Sequence, residues 1–379
     1  MAGTLLTYEI SDLCLGKPPL RPLPSDATVA DALSFLRRRD SDDVFVSVWS
    51  VSDDSPHCVG RISVVDILCF LCKEENLNHP SVALHSPISV LLNKDSPNAV
   101  KQLEPNSSIL EAVDCILEGA QSLIVPRRNR SSGISKQKLH QKASFGRQFC
   151  CITQEDVIRF FFNSINLFSP IPFNAIQSLD IIEKKILSVH CDDPALSALS
   201  AINTSVGGQS AVAVVDEEGR LLGDISLYML ASCDETLAPA VATLSAGDLI
   251  TYIDYGGPTE DLTQLVKSRL EEKKLGGMLE LLEDDHSNSS CLSSSGSSSS
   301  EDEAVHGKIH RRRSNSGRFA RGTEPIVCHP SSSLVAVMIQ ALSHRLNYIW
   351  VVEDDYSLVG MITFTAILKV FRDHVSSFS

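Results

Sequence analysis

Aromatic side chains are scarce, at 6% of 379 residues with two tryptophans. The hydrophobic fraction of 43% therefore rests on aliphatics, which suits small α/β units with a sizeable core. No uncharged apolar run reaches the ~18 residues that a membrane helix needs, so no membrane span is expected. Positive charge is also short. Lys and Arg number 33 against 47 Asp and Glu, a net charge of −14, and this argues against nucleic-acid binding, which needs a basic surface to neutralise phosphates. The opening MAGTLLTYEISDL has no basic n-region and carries Glu9 and Asp12, so it reads as neither a signal nor an Arg-rich transit peptide. Ala2 fails the myristoylation pattern. A cytoplasmic protein is expected, with the nucleus as the alternative.

Catalytic motifs are missing too. There is no P-loop, HExxH, GxSxG, Gly-x-Gly or set of kinase Asp motifs. The acidic pairs Asp42–Asp43, Asp53–Asp54, Asp192–Asp193 and Asp354–Asp355 fall in turns or helix starts, where Asp serves local hydrogen bonds. The sequence thus points away from an enzyme and offers no catalytic residue and no metal site. Eleven cysteines lack the spacing of a disulfide framework, so a reducing compartment is expected. The one CxxC, Cys69–Cys72, sits in a predicted helix without a second pair and reads as core packing.

What the sequence does contain is a repeat. Four segments share the order helix start, amphipathic helix, apolar strand, second apolar strand, second helix. The first runs through a short strand at 20–23, a helix at 29–38, strands at 44–51 and 58–64, and a helix from 65. The second has a helix ending at 118, strands at 122–126 and 149–152, and a helix at 154–163. The third has a helix ending at 202, strands at 211–215 and 221–225, and a helix at 227–232. The fourth has a helix at 334–345, strands at 348–352 and 358–362, and a helix at 364–372. The strand-to-helix junctions align without gaps: GRISVVD at 60–66, CCITQED at 150–156, GDISLYM at 223–229 and GMITFTA at 360–366. The expected fold class is α/β, four βαββα repeats arranged as two pairs. The expected division is an N-terminal segment 1–19, repeat one at 20–75, repeat two at 87–166, repeat three at 176–235, a linker at 276–322 and repeat four at 323–375.

The junction hydroxyls Ser63, Thr153, Ser226 and Thr363 have a structural task, capping the next helix by accepting from its orphan N–H groups. An acid three residues on would complete a capping box. The same geometry suits a ligand. A helix N-terminus attracts phosphate, and a carboxylate one turn along can accept from ribose hydroxyls. All four copies keep the hydroxyl, so the fold needs it. Only Asp66 and Asp156 supply the acid, with Met229 and Ala366 in the equivalent places, so the acid leans towards ligand binding.

A Gly-x-Ile-Ser/Thr-x-x-Asp junction closing a βαββα unit resembles the CBS domain. Four such copies with no catalytic domain are similar to the gamma-type regulatory subunits of AMP-activated and SNF-type kinases and to the plant CBSX subfamily. The resemblance implies that copies one with two, and three with four, pair through their sheets. It also implies an adenosine-type ligand (AMP, ADP, ATP or S-adenosylmethionine) with Ser63 and Thr153 on phosphate and Asp66 and Asp156 on ribose. No cofactor is obligatory. The partners implied are protein kinase subunits or a thioredoxin, and whether the pairs stack within one chain or across a homodimer stays open.

Two stretches interrupt the repeat. Residues 127–148 carry seven Lys and Arg and no acid, which reads as a solvated basic loop or as a site for an acidic partner, a phosphate or nuclear import. Residues 276–322 are Gly/Ser-rich, then acidic, then basic, and are expected to be a disordered linker. Ser298 and Ser300 precede an acidic run, and Ser314 and Ser316 follow Arg311–Arg313. These serines are candidate phosphosites.

Overall fold

The computed structural model describes residues 8–37, 44–51, 56–92, 100–127, 149–205, 208–231, 233–253, 259–288 and 324–377. Four three-stranded sheets account for the four repeats. They comprise β1 (Leu23–Pro24), β2 (Phe45–Val51) and β3 (Pro56–Ser63); β4 (Val100–Gln102), β5 (Ser122–Pro126) and β6 (Phe149–Thr153); β7 (Ser188–His190), β8 (Ala211–Val215) and β9 (Leu221–Ser226); and β10 (Val327–Cys328), β11 (Tyr348–Val352) and β12 (Leu358–Thr363). In each sheet the short first strand pairs parallel with the second, and the third pairs antiparallel with the second. A helix crosses from first to second strand, as a parallel pair requires. These helices are Val29–Leu36, Ile109–Leu117, Ala195–Asn203 and Leu334–His344.

Central strands such as Ala211–Val215 and Tyr348–Val352 are buried nearly throughout, because one sheet face meets its own helices and the other meets the sister sheet. The sheets of repeats three and four share a core of Ala211, Ala213, Leu221, Tyr348, Trp350 and Met361. Those of one and two meet through Trp49 and Phe149, whose rings lie 5.6 Å apart. The pairing of one with two and three with four holds. The helices then join the pairs crosswise within one chain. Repeats one and three build one helical core, and repeats two and four build another. Arg372 Nε and Nη2 donate to Asp114 Oδ1 and Oδ2 at 2.7 and 3.0 Å across the second junction.

The division into segments needs correction at each repeat's leading edge. Glu9 bridges to Ser108, Pro87 to Thr28, Ala175 to Ser333 and Ser245 to Pro194. Each partner is the N-cap of the first helix of the other repeat in the pair. Ile10, Ile88, Ile176 and Ala246, one residue on, are fully buried. Ile10 N–H donates to Ser107 O at 2.8 Å, and Ile176 N–H to Ser332 O at 2.9 Å. The five-residue leads EISDL (9–13), PISVL (87–91), AIQSL (175–179) and SAGDL (245–249) are thus swapped within each pair. Within segment 1–19 the lead 9–13 belongs to repeat two, and the start of segment 87–166 belongs to repeat one.

The linker needs a second correction. Residues 276–288 are helical rather than part of a disordered stretch. Met278, Leu281 and Leu282 lie at helical spacing and are buried in the core of repeats one and three. With helices Ala238–Thr243, Ala246–Ile253 and Glu260–Glu272 they extend that core between repeats three and four. The rest of 276–322, with Ser298, Ser300, Ser314 and Ser316, and the basic stretch after Arg127, lie outside the described residues.

Candidate functional site

The four junction hydroxyls all cap. Ser63 accepts from the Asp66 N–H, Thr153 from that of Asp156, Ser226 from that of Met229 and Thr363 from that of Ala366. In repeats one and two the acid completes the box. Asp66 Oδ2 accepts from the Ser63 N–H at 2.7 Å and the Ser63 hydroxyl at 2.6 Å. Asp156 Oδ2 accepts from the Thr153 N–H at 2.7 Å and the Thr153 hydroxyl at 2.9 Å. Both cap contacts fall on Oδ2 in each repeat.

Cations stand beside both acids, and sequence reading did not single them out for this place. Arg61, two residues before Ser63, lays its guanidinium 3.8 Å over the Phe45 ring. Burial lowers Arg61 to about 10, while Asp66 opposes that shift. Burial also raises the Asp66 carboxyl above its ordinary value, against the Ser63 hydrogen bonds and the Arg61 charge. In repeat two the cations come from further away. Lys17, from the N-terminal segment, pairs with Asp156. Arg127 Nη2 donates to the Lys17 carbonyl at 3.3 Å. The local signal for Arg61 was its place at i−2 from the cap. Lys17 has no local signal, because the lead swap brings it there.

The other two junctions differ in kind. In repeat four the Thr363 hydroxyl donates to Glu183 Oε1 at 2.6 Å, and Glu183 and Met361 exchange backbone hydrogen bonds at 2.8 and 3.0 Å. A carboxylate of the chain itself therefore occupies the position facing that cap. In repeat three the polar partner is Asp224, which accepts from the Tyr348 hydroxyl of repeat four. That proton stays on the buried tyrosine, whose pKa burial and the Asp224 charge push well above the ordinary value.

The geometry is thus one hydroxyl-capped helix start per repeat, and among the described residues an acid on the capped helix and a cation beside it are found in repeats one and two. A family model described as "CBS domain" matches residues 178–233 and 322–373, which are repeats three and four. Over 98% of both chains, the sequence is 45% identical to the Arabidopsis thaliana CBS domain-containing protein CBSX5. The chain belongs to the CBS domain-containing proteins. It is also 21% identical, over 98% of its length and 97% of the relative's, to the A. thaliana SNF1-related protein kinase regulatory subunit gamma-like PV42b. The crystal structure of a Methanocaldococcus jannaschii protein, described as an archaeal homologue of the AMPK gamma subunit, covers 96% of this chain and all of its own at 14% identity and a TM-score of 0.57. That likeness is one of fold. Repeats one and two, which the family model does not match, are the CBS repeats that carry the acids.

Proposed function

We propose that this CBS protein is a non-enzymatic regulator whose first repeat pair binds an adenosine-type ligand and passes the binding on to a protein partner. The observation that carries this reading is the confinement of an acid and a cation to the helix starts of repeats one and two. Ser63 and Thr153 would face phosphate, Asp66 and Asp156 would accept from ribose hydroxyls, and Arg61 and Lys17 would neutralise phosphate charge. A regulator needs the ligand to favour one packing over another, since only differential affinity shifts an equilibrium. The crosswise cores connect the first pair to the second, so a shift in one pair bears on the other.

Calorimetric titration of the full chain with AMP, ADP, ATP and S-adenosylmethionine tests the proposal. Binding of at least one is expected. Asp66→Ala or Asp156→Ala should weaken it by about 10- to 100-fold, the loss of hydrogen bonds to a charged group worth about 1.5–3 kcal/mol. The ribose hydroxyls need an ionised acceptor, and the Asp66 pKa is raised. Binding at repeat one should therefore fall on acidification at a higher pH than an ordinary carboxylate would cause. Absence of heat with all four ligands in folded protein would sink the reading.

A second reading rests on Glu183. With its cap already faced by the chain's own carboxylate, the second pair serves shape and partner contact, as in a scaffold or kinase gamma-like subunit regulated through the linker serines. Co-purification of a kinase α or β subunit with tagged chain from plant extract supports it, and retention of neither counts against it. Localisation in cytoplasm, with the nucleus as the alternative, belongs to the same proposal.

A further inference from the structure

In repeats one and three the residue after the swapped lead stands against the glycine of the third strand, whereas Gly360 of repeat four meets Ile182 and Glu183. Leu92 and Ile250 directly follow the leads 87–91 and 245–249. Their side chains lie over the glycine of the third strand. A Cβ added at Gly60 would meet Leu92 Cδ2 at 2.9 Å, and one added at Gly223 would meet Ile250 Cδ1 at 2.9 Å. In repeat two the residue that follows the lead is Cys14, and the strand position is Cys150. Both are thiols. Each thiol is the neighbour that shifts the other most, while Cys14 Sγ also donates to the Ile10 carbonyl and Cys150 Sγ to the Cys151 carbonyl, both at 3.8 Å. Cys150 also sits in the one sheet without a register shift between its second and third strands, directly opposite Val125. The other three sheets shift register next to the glycine.

We propose that Cys14 and Cys150 are a reversible disulfide site that fastens the N-terminal lead onto repeat two. Their surroundings favour it. The Cys150 hydrogen bond lowers the Cys14 pKa, burial opposes this, and the Lys17 and Arg127 charges assist it. Cys150 is raised, first by its bond to Cys14 and then by burial. Cys14 is half-buried and is the thiol that reaches thiolate first, which makes it the nucleophile. Burial pushes Cys69, Cys72 and Cys328 up to about 12, so they are poor competitors.

With hydrogen peroxide as oxidant, the Cys14 thiolate attacks one peroxide oxygen, the O–O bond breaks, and the departing hydroxide takes a proton to become water. Cys14 is left as a sulfenic acid. Cys150 sulfur then attacks the Cys14 sulfur, the S–O bond breaks, and a second water leaves with the Cys150 proton. The sum is two thiols and one peroxide giving one disulfide and two waters. A dithiol reductant reverses it by exchange. The staple would hold Lys17 on Asp156, whereas in the reduced chain the lead is held by backbone bonds such as Ile10 N–H to Ser107 O and by that ion pair. The site does not depend on the nucleotide reading, since neither thiol is assigned to a ligand.

The test uses the full chain, reduced and then treated with one equivalent of hydrogen peroxide. Remaining thiols are alkylated, and the protein is digested without reductant for mass spectrometry. A peptide pair linked through Cys14 and Cys150 is expected as the main cross-link, lost on dithiothreitol treatment. The amides of Ile10 and Ser11 should exchange with deuterium more slowly in the oxidised form. Cys150→Gly restores the residue of the other three repeats, so it should fold. It should lose the cross-link and the exchange slowing, and it should leave Cys14 as a sulfenic acid trapped by dimedone. Cross-links scattered over other cysteine pairs would overturn the proposal. So would Cys14 overoxidised while Cys150 remains alkylatable.

Discussion

Replacing Phe371 with alanine is expected to destabilise the chain by about 3–5 kcal/mol, the range for removing a fully buried aromatic ring. Phe371 is on the last helix of repeat four, Phe364–Ser376, and is fully buried. Its ring lies 5.4 Å from Phe161 of repeat two in a stacked arrangement, and 4.5 Å from Phe168. Phe161 and Phe168 are 5.3 Å apart, edge to face, so three rings close one triangle across the junction of repeats two and four. In a chain so poor in aromatics, this cluster concentrates much of the large apolar area of that core. Denaturant unfolding followed by circular dichroism and by intrinsic fluorescence measures the loss. A change below about 1 kcal/mol, the size of an ordinary surface substitution or little more, would mean that repeats two and four do not share a core. Separate transitions for the two probes would show that the substitution uncouples the layers as well as weakening them.

Gly360→Ala should cost about 2–3 kcal/mol, the overpacking range, although it adds a single carbon. A Cβ there would stand 2.5 Å from the Glu183 carbonyl oxygen and 2.8 Å from Ile182 Cγ2. The oxygen belongs to backbone that pairs with Met361, so it cannot give way without breaking those hydrogen bonds. Gly60→Ala is the control. Its Cβ would meet Leu92 Cδ2, the far end of a flexible side chain, at 2.9 Å, and should cost well under half as much. Thermal unfolding of both variants decides the matter. Equal losses would mean that the 181–183 segment does not lie against repeat four as described. The Gly360 variant should also free the Thr363 hydroxyl from Glu183, so nucleotide titration of that variant shows whether the second pair binds once its own carboxylate is displaced.

Both substitutions bear on how a regulator of this shape would work. The sheets hold each pair together, and the helices hold pair to pair, so no repeat can move without repacking two neighbours. Close-packed cores are bistable rather than compliant. The proposed ligand at Asp66 or Asp156, or the proposed disulfide at Cys14–Cys150, would act at the edge of such a core.

The repeat, the α/β class, the second and third strands of each repeat and the four caps were legible in the sequence because they are local. The short first strand was expected only in repeat one, at 20–23, where the structure has Leu23–Pro24, and those at Val100–Gln102, Ser188–His190 and Val327–Cys328 were missed. Strands such as 211–215 and 348–352 are continuous apolar runs bounded by turns, and Ser63, Thr153, Ser226 and Thr363 each precede an apolar helix. A hydroxyl at a strand-to-helix junction has few other uses. The confinement of the acid to Asp66 and Asp156 was legible as well, since it needs only the alignment of one junction with another. The helix at 276–288 was not. Its apolar stripe of Met278, Leu281 and Leu282 is one turn long, and a composition window dilutes it with the serines that follow.

By itself, then, the sequence determined four capped units and an unequal distribution of carboxylates among them. Only the tertiary structure decided what stands beside three of these caps: Arg61 on the same strand, Lys17 from just beyond the swapped N-terminal lead, and Glu183 from the segment ahead of repeat three. The reason is physical. A cap is settled by hydrogen bonds within three residues, whereas a lead of five residues has too little apolar periodicity to declare its dock. Its place is set by long-range closure, where Ile10, Ile88, Ile176 and Ala246 find buried seats beside the first helix of the sister repeat.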